Sequence, residues 1–453
     1  MRKLFGLFVL FIITTGLYGA EVSFLSLAQC ERDALNSSAQ LQALQAQVLA
    51  SRAQEKSVSS SLYPSLSLDA KGMWVSEVPT LKFGGQELKF GDTWGYSVGP
   101  TASWVLFDNG ARSSLKKSAS KVVNAQEQSY EFARKQILLQ VQQAYFSVQQ
   151  LLQRLVLLNG QLEVAQKQLD DVQSAYKAGA KSKLDVSIAR KQVLKTQTAM
   201  SGARSALAGQ LRALFKLTGT DYGIVPSYPT DKRLVNAKEE NKTSAVLDTD
   251  PLENTLQLFR PYSQSEFDEN SPKLAALEEM ARYYNYLADS YKDALYPRVA
   301  LQGGAYFEYP NGAIREHVFL GRAGAAVSMP LFEGGKDRQQ AKAQKELSRA
   351  KTYEKQDARE TLTALFLAAK DRLYGLQVQE NLLKDMIKQT GETARLTYQA
   401  YKAGAVTFFE VDRANLDLLE SQLSLADVQV EQLNQLAILN SLGKEKKKKK
   451  ELS

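Results

Sequence analysis

Cysteine is almost absent: Cys30 is the only one among 453 residues. A single thiol makes no intrachain disulfide, so packing alone must hold the fold. Histidine is equally scarce, and one residue, His317, excludes a His-based triad and a clustered His metal site. No apolar run of spanning length follows residue 20. A mature chain that crosses a membrane must therefore do so with strands closed into a barrel. Proline is missing from Asp108 to Lys177 and again from Lys336 to Lys402. Each stretch is long enough for a helix of roughly 100 Å at 1.5 Å per residue. The net charge of +8 is partly local, because Lys444 and Lys446 to Lys450 crowd the C-terminus against Glu445 and Glu451. Such a block reads as a solvated, disordered tail (443–453), and with no interleaved aromatic platform nothing points to a nucleic acid.

What is present begins with an export signal. Arg2 and Lys3 precede an apolar run from Leu4 to Leu17, and small residues end at Gly19-Ala20. This makes 1–20 a signal peptide; a membrane anchor is the alternative, but a confident span needs roughly 20 apolar residues. Leu27-Ala28-Gln29-Cys30 faintly resembles a lipid-attachment box. It lies too far from the apolar run and Gln29 is a poor neighbour, so Cys30 reads as an inert thiol near the start of the first helix.

The most informative feature is a duplication. Ala175-Tyr176-Lys177-Ala178-Gly179-Ala180 returns 225 positions later (175 to 400) as Ala400-Tyr401-Lys402-Ala403-Gly404-Ala405. At the same offset Leu106-Phe107-Asp108-Asn109-Gly110 becomes Leu331-Phe332-Glu333-Gly334-Gly335. Leu62-Tyr63-Pro64 is echoed, at a slightly longer offset, by Leu295-Tyr296-Pro297. The period is far too long for a solenoid unit, so the chain is built twice from one plan.

Each half passes through the same sequence of patterns. A helical segment (21–62) ends at Pro64, where the period changes from 3.6 to 2. Leu66, Leu68, Ala70, Gly72 and Trp74 then alternate with polar neighbours. A Gly-rich interval, Val78 to Gly91, separates them from Trp94, Tyr96, Val98, Pro100, Ala102, Trp104 and Leu106. The second half repeats this with Val299 to Tyr309 and Phe319 to Leu331. These are strands of about ten residues with aromatics toward their ends, as a tilted bilayer span requires. A soluble half-buried hairpin shows the same alternation. Four strands cannot close a barrel, so spanning strands imply an oligomer; a dimer gives eight and a trimer twelve. In the long helix after the first hairpin, Ile137, Val141, Ala144, Val148, Leu151, Leu155, Leu158, Leu162 and Ala165 step by three, four or seven, a coiled-coil-like seam. Each long helix ends at the repeated hexapeptide, with Gly179 or Gly404 suited to a left-handed C-terminus. A second helix returns, with Asp185 or Glu410 in its first turn, where the dipole favours a carboxylate. Between the halves, residues 219–272 carry five prolines and mixed charge and read as a connector with short elements.

Signal, strand hairpin and long helical hairpin, all repeated, resemble the TolC-like outer-membrane efflux protein family. The marks are Leu-Tyr-Pro before each hairpin, Phe-Asp-Asn-Gly or Phe-Glu-Gly-Gly after it, and Tyr-x-x-Gly followed six residues later by an acid. The resemblance implies an α+β membrane protein with an internal tandem repeat. Its long α-helical coiled-coil tunnel would join four β-strands per chain that contribute to a trimeric 12-stranded β-barrel. The implied divisions are a first barrel hairpin (63–107), a first helical hairpin (108–218) and an equatorial connector (219–272). A helix (273–295), a second barrel hairpin (296–332) and a second helical hairpin (333–442) follow.

Function carries over by position. The resemblance implies a passive, non-enzymatic exit duct of a tripartite efflux pump or a type I secretion system, without cofactor or metal. It would sit in the outer membrane among lipid, with a periplasmic tunnel. Partners would be two further copies (a homotrimer), a periplasmic adaptor (membrane fusion) protein and an inner-membrane pump of RND or ABC type. Tyr176, Gly179, Ala180, Tyr401, Gly404 and Ala405 match the tips that meet the adaptor. Asp185 and Tyr401 match residues that hold the tip closed, and Glu410 matches one carboxylate of an aperture ring. This chain departs from the family twice, with Val406 where a basic residue is common and Arg413 where the best-known members are acidic. Asp185, Tyr401, Glu410 and Arg413 are thus the expected gate, with Lys181 a substitute latch cation. The competing reading is a non-pore periplasmic coiled-coil structural or adaptor protein.

Overall fold

The computed structural model describes residues 23–220 and 247–444. The expected signal segment, residues 221–246 of the connector and the lysine run from 446 lie outside them. The first half runs β1 (Ser23–Leu25), α1 (Leu27–Ser37), α2 (Ala39–Ser60), β2 (Ser65–Trp74), β3 (Thr80–Phe83), β4 (Gln86–Lys89), β5 (Trp94–Phe107), α3 (Ala111–Lys177) and α4 (Lys183–Thr218). The second runs β6 (Leu247–Thr249), α5 (Leu252–Phe259), a 3-10 turn (Arg260–Gln264), α6 (Pro272–Asp293), β7 (Arg298–Tyr309), β8 (Val318–Ser328), α7 (Lys336–Lys402) and α8 (Phe408–Leu442). The duplication is thus structural: α3 and α7 are each 67 residues long. The chain divides into two compact units, residues 39–135 with 267–365, and residues 1–38 with 136–266 and 366–453.

The first of these units holds an antiparallel sheet in the order β2-β5-β7-β8, so the two repeat hairpins meet along β5 and β7. Register assigns the faces. Leu66, Leu68, Val98, Trp104, Leu301, Phe307, Phe319 and Val327 share one face; Ser67, Asp69, Thr101, Ser103, Gln302, Glu308 and Arg322 share the other. The polar face is cross-linked by side chains: Ser67 to Thr101 at 2.7 Å, Ser97 donating to Glu308 at 3.1 Å, and Arg322 gripping Glu308 through two bonds of 2.8 and 2.7 Å. Gly99 is required by close approach, since a Cβ there would stand 1.9 Å from the Ala305 carbonyl oxygen. The apolar face is bare, with Leu66 78% and Val327 72% exposed. Among the described residues the outer edges of β2 and β8 have no strand partner.

The Phe-Asp-Asn-Gly motif works as a strand-to-helix corner. Asn109 and Gly110 take positive φ of 54° and 96°. The Asp108 carboxylate accepts the Gly110 and Arg112 amides at 3.3 and 3.1 Å and the Arg112 Nε at 2.7 Å. Arg112 in turn donates to the carbonyls of Ser61 and Val105, tying α2, β5 and α3 together. Alongside, α6 uses adjacent carboxylates on two neighbours: Glu279 meets Lys121 of α3 at 2.9 Å and Glu278 meets Lys355 of α7 at 2.8 Å. The structure also places a small hairpin, β3–β4 around Gly84-Gly85, inside the interval read from sequence as merely Gly-rich.

In the other unit β1 and β6 pair in parallel. Tyr145 lies fully buried, its hydroxyl donating to the Leu25 carbonyl at 3.0 Å, and Phe146 packs edge-on against Phe259 at 5.3 Å. Gln149 bonds the Asp250 carbonyl and the Thr255 hydroxyl at 2.6 and 2.9 Å. The described part of the connector therefore docks on α3 through an aromatic contact and a few specific polar ones. Among the described residues no helix is long and apolar enough to cross a membrane.

Candidate functional site: the paired hairpin tips

Each copy of the hexapeptide closes its long helix in the same way. Gly179 donates to Tyr176 O at 2.9 Å and Ala180 to Ala175 O at 2.9 Å; Gly404 and Ala405 repeat this on Tyr401 and Ala400 at 3.0 and 2.9 Å. The glycines sit at φ of 76° and 81° with open space around a notional Cβ. Backbone handedness, not crowding, selects glycine there.

The returning helices start with equivalent caps. Asp185 accepts the Ser182 amide and hydroxyl at 3.1 and 2.8 Å, and its own amide donates back to Ser182 Oγ at 3.1 Å. Glu410 accepts the Thr407 amide and hydroxyl at 2.7 and 3.1 Å. Both carboxylates expected at a gate are therefore engaged within their own turns.

The two copies differ in burial. Tyr176 is 44% exposed, whereas its repeat partner Tyr401 is 5% exposed. Tyr401 joins Val172 of α3, Ala189 of α4, and Phe408 and Val411 of α8 in an apolar cluster. Its ring meets Phe408 edge-on at 5.2 Å. Burial, and then the nearby Asp185 charge, push the Tyr401 phenol up to about 12. Its hydroxyl has no hydrogen-bond partner, so the structure does not join Asp185 to Tyr401 by the polar contact that position alone suggested.

Lys181 makes that connection instead. Its ammonium donates to the Tyr401 carbonyl oxygen at 2.9 Å and sits 3.9 Å from the ring centroid of the same residue. A second contact lies one turn away: the Tyr398 hydroxyl donates to Asp171 of α3, and Lys402 approaches the same carboxylate at 3.7 Å. Burial first, then the bond to Asp171, drive the Tyr398 phenol upward. At the tips the first helical hairpin is thus fastened to the second by Lys181 on Tyr401 and by Asp171 with Tyr398 and Lys402. Asp171 and Tyr398 escaped the sequence reading because neither lies in the hexapeptide.

The remaining expected residues face water. Arg413, Gly179, Ala180, Gly404 and Ala405 are exposed, and Val406 packs on the apolar cluster. Two large apolar residues missed in the sequence stand at equivalent places in the caps, Leu184 at 68% and Phe409 at 57% exposed. Their offset matches that of the hexapeptides, which was the available signal. No cluster of His, Cys, Asp and Glu able to hold a metal occurs among the described residues.

The model of the outer membrane efflux protein family matches residues 32–220 and 264–443. No curated protein matches in sequence. Among solved structures, CusC is 18% identical, with 95% of each chain covered and a TM-score of 0.72. The outer membrane protein VceC of Vibrio cholerae is also 18% identical, covering 92% of this chain and 96% of its own, with a TM-score of 0.72. The Campylobacter jejuni CmeC outer membrane channel is 17% identical, covering 92% and 85%, with a TM-score of 0.70. These likenesses extend over both repeats and agree with the repeated hairpin-and-rod plan described above. The chain belongs to the outer membrane efflux protein family, a family of non-enzymatic outer-membrane channels.

Proposed function

We propose that the protein is the exit duct of a tripartite efflux pump, gated by separation of its two helical hairpins at the tips. A homotrimer completes the channel. Its support is the bare apolar face and the two unpaired strand edges of the four-stranded sheet, which three copies would satisfy as twelve strands. The reading of the gate rests on one observation above all: Lys181 bridges from the first hairpin to Tyr401 of the second.

The chemistry of closing is modest and therefore reversible. A hydrogen bond to a cation is worth about 1.5–3 kcal/mol, and a lysine over an aromatic face about 0.5–1 kcal/mol at an exposed site. An adaptor that takes over the Lys181 and Asp171 contacts can shift such a balance. Leu184 and Phe409 supply apolar docking points at the tips, and an inner-membrane pump of RND or ABC type would supply the driving force. Photo-crosslinking from positions 184 and 409 in intact cells tests this. Adducts to a periplasmic adaptor are expected at both; an unlinked protein or links to outer-membrane proteins alone would defeat the assignment. A soluble fractionation pattern without a heat-modifiable trimer would favour the non-pore coiled-coil reading.

A further inference from the structure

The seam between the two helical hairpins changes character just above the tip cluster. On α3, Gln168 precedes Leu169 and Val172; on α4, Gln192 follows Ala189; on α8, Asp412 and Asn415 follow Val411. Beyond them the seam is apolar again, with Leu158, Met200 and Ala203 packed with Leu155, Leu162 and Leu419. A polar layer is therefore enclosed between two apolar ones. All four polar residues are nine-tenths buried or more, Gln192 at 4% and Asp412 at 6% exposure. Asn415 donates to Gln168 at 3.0 Å, but both amide atoms of Gln192 and the Oδ1 of Asp412 have no partner.

We propose that Asp412 is a proton-dependent switch on hairpin separation: neutral, it keeps the two hairpins of a chain packed together; ionised, it favours their parting. This rests on the reading of the tips as a gate. The ionised carboxylate is poorly compensated where it stands. Its one ion pair, Oδ2 to Lys191 Nζ, is long at 3.9 Å, and that lysine is 63% exposed. Lys195 of α4 adds a second positive charge at longer range. The other groups around the layer bring no further cation into it. From α3 comes the neutral amide of Gln168, and from α7 the phenol of Tyr401; on α8 itself Glu410 and Arg413 point to solvent. Asp171, Tyr398 and Lys402 are occupied with one another, and Asp185 with its own cap.

Protonation removes an under-compensated charge from a dry seam and turns an orphan acceptor into a donor. Burial accordingly pushes the Asp412 carboxyl above its ordinary value, against the pull of Lys191 and then Lys195. The sign follows. In the packed state the group holds its proton more tightly than when hydrated in a parted state. Packing is then favoured at acid pH and loses that contribution as pH rises through the raised value.

Planar-bilayer recording of the full-length trimer tests the switch, with pH stepped from about 3.5 to about 8 so that the range begins at the ordinary carboxylate value. The open fraction of the wild-type channel is expected to rise as pH climbs from the ordinary carboxylate value through the raised Asp412 value, and to level off above it. Asp412→Asn, which keeps the shape of the neutral acid, should stay at the acid level at every pH, while the exposed Asp417→Asn on the same helix should keep the wild-type profile. Asp412→Leu provides a second pH-insensitive variant should the asparagine fail to assemble. The proposal is overturned if Asp412→Asn titrates like the wild type, or if the wild-type open fraction is flat or falls with pH while channels are plainly present. Trimers that give no current steps at any pH would instead overturn the channel reading on which the switch rests.

Discussion

Lys181 is the side chain on which the proposed gate turns, because its two contacts both end on Tyr401 across the hairpin seam. Lys181→Met keeps the aliphatic stem and removes both. A loss of about 1–2 kcal/mol shifts a two-state balance about 5- to 30-fold, so single-channel open probability should rise by that order. Tyr398→Phe, which frees Asp171, should act in the same direction and combine with Lys181→Met. Conductance unchanged in both variants would place the latch elsewhere. The hexapeptide repeat was readable in the sequence, and Lys181 stood out as a candidate cation. The unequal fate of the two tyrosines was not readable. Tyr176 and Tyr401 share the same immediate neighbours, and only the packing of α8 against α3 and α4 decides which ring is buried.

At the scale of elements, each tip is a turn with a left-handed glycine where the long helix ends and a capping box where the next begins. Gly179 and Gly404 hold left-handed conformations that an L side chain adopts at about 1–2 kcal/mol. Gly404→Ala should therefore loosen the second tip without altering the rods, seen as faster tryptic cleavage after Lys402. Equal cleavage rates in variant and wild type would show that the turn tolerates the strain. The long helices were legible from their missing prolines and heptad-like spacing, and the strands of the sheet from their alternation. The β3–β4 hairpin was not. Its strands are only four residues long, too short for a period to declare itself, and the two glycines of its turn dominated the reading. The carboxylates at the helix starts were legible as caps and as gate candidates alike; the geometry assigns their hydrogen bonds to the caps.

For the whole molecule, the decisive property is that, among the described residues, the four-stranded sheet leaves its apolar face bare. Neighbouring positions on β8 separate the two environments. Ala323 belongs to the apolar face and Gly324 to the polar face, with open space around a Cβ at Gly324. Ala323→Arg, placed against lipid, should cost about 2–4 kcal/mol per chain near the bilayer midplane and deplete the assembled protein from the outer membrane. Gly324→Arg should assemble normally and make the conductance less cation-selective. Equal tolerance of both substitutions would contradict the facing inferred from register. The alternation of apolar and polar positions was visible in the sequence, whereas four strands fit a dimer of eight and a trimer of twelve alike.

Conduction is the property that decides between a duct and a solid rod. Purified from outer membranes and reconstituted in planar bilayers at a symmetric salt concentration, it should give discrete current steps from a trimeric species. Those steps should open further in Lys181→Met. A trimer that inserts yet yields no steps, or steps from Lys181→Met that match the wild type in size and dwell time, would contradict the proposal of a duct held shut at its tips.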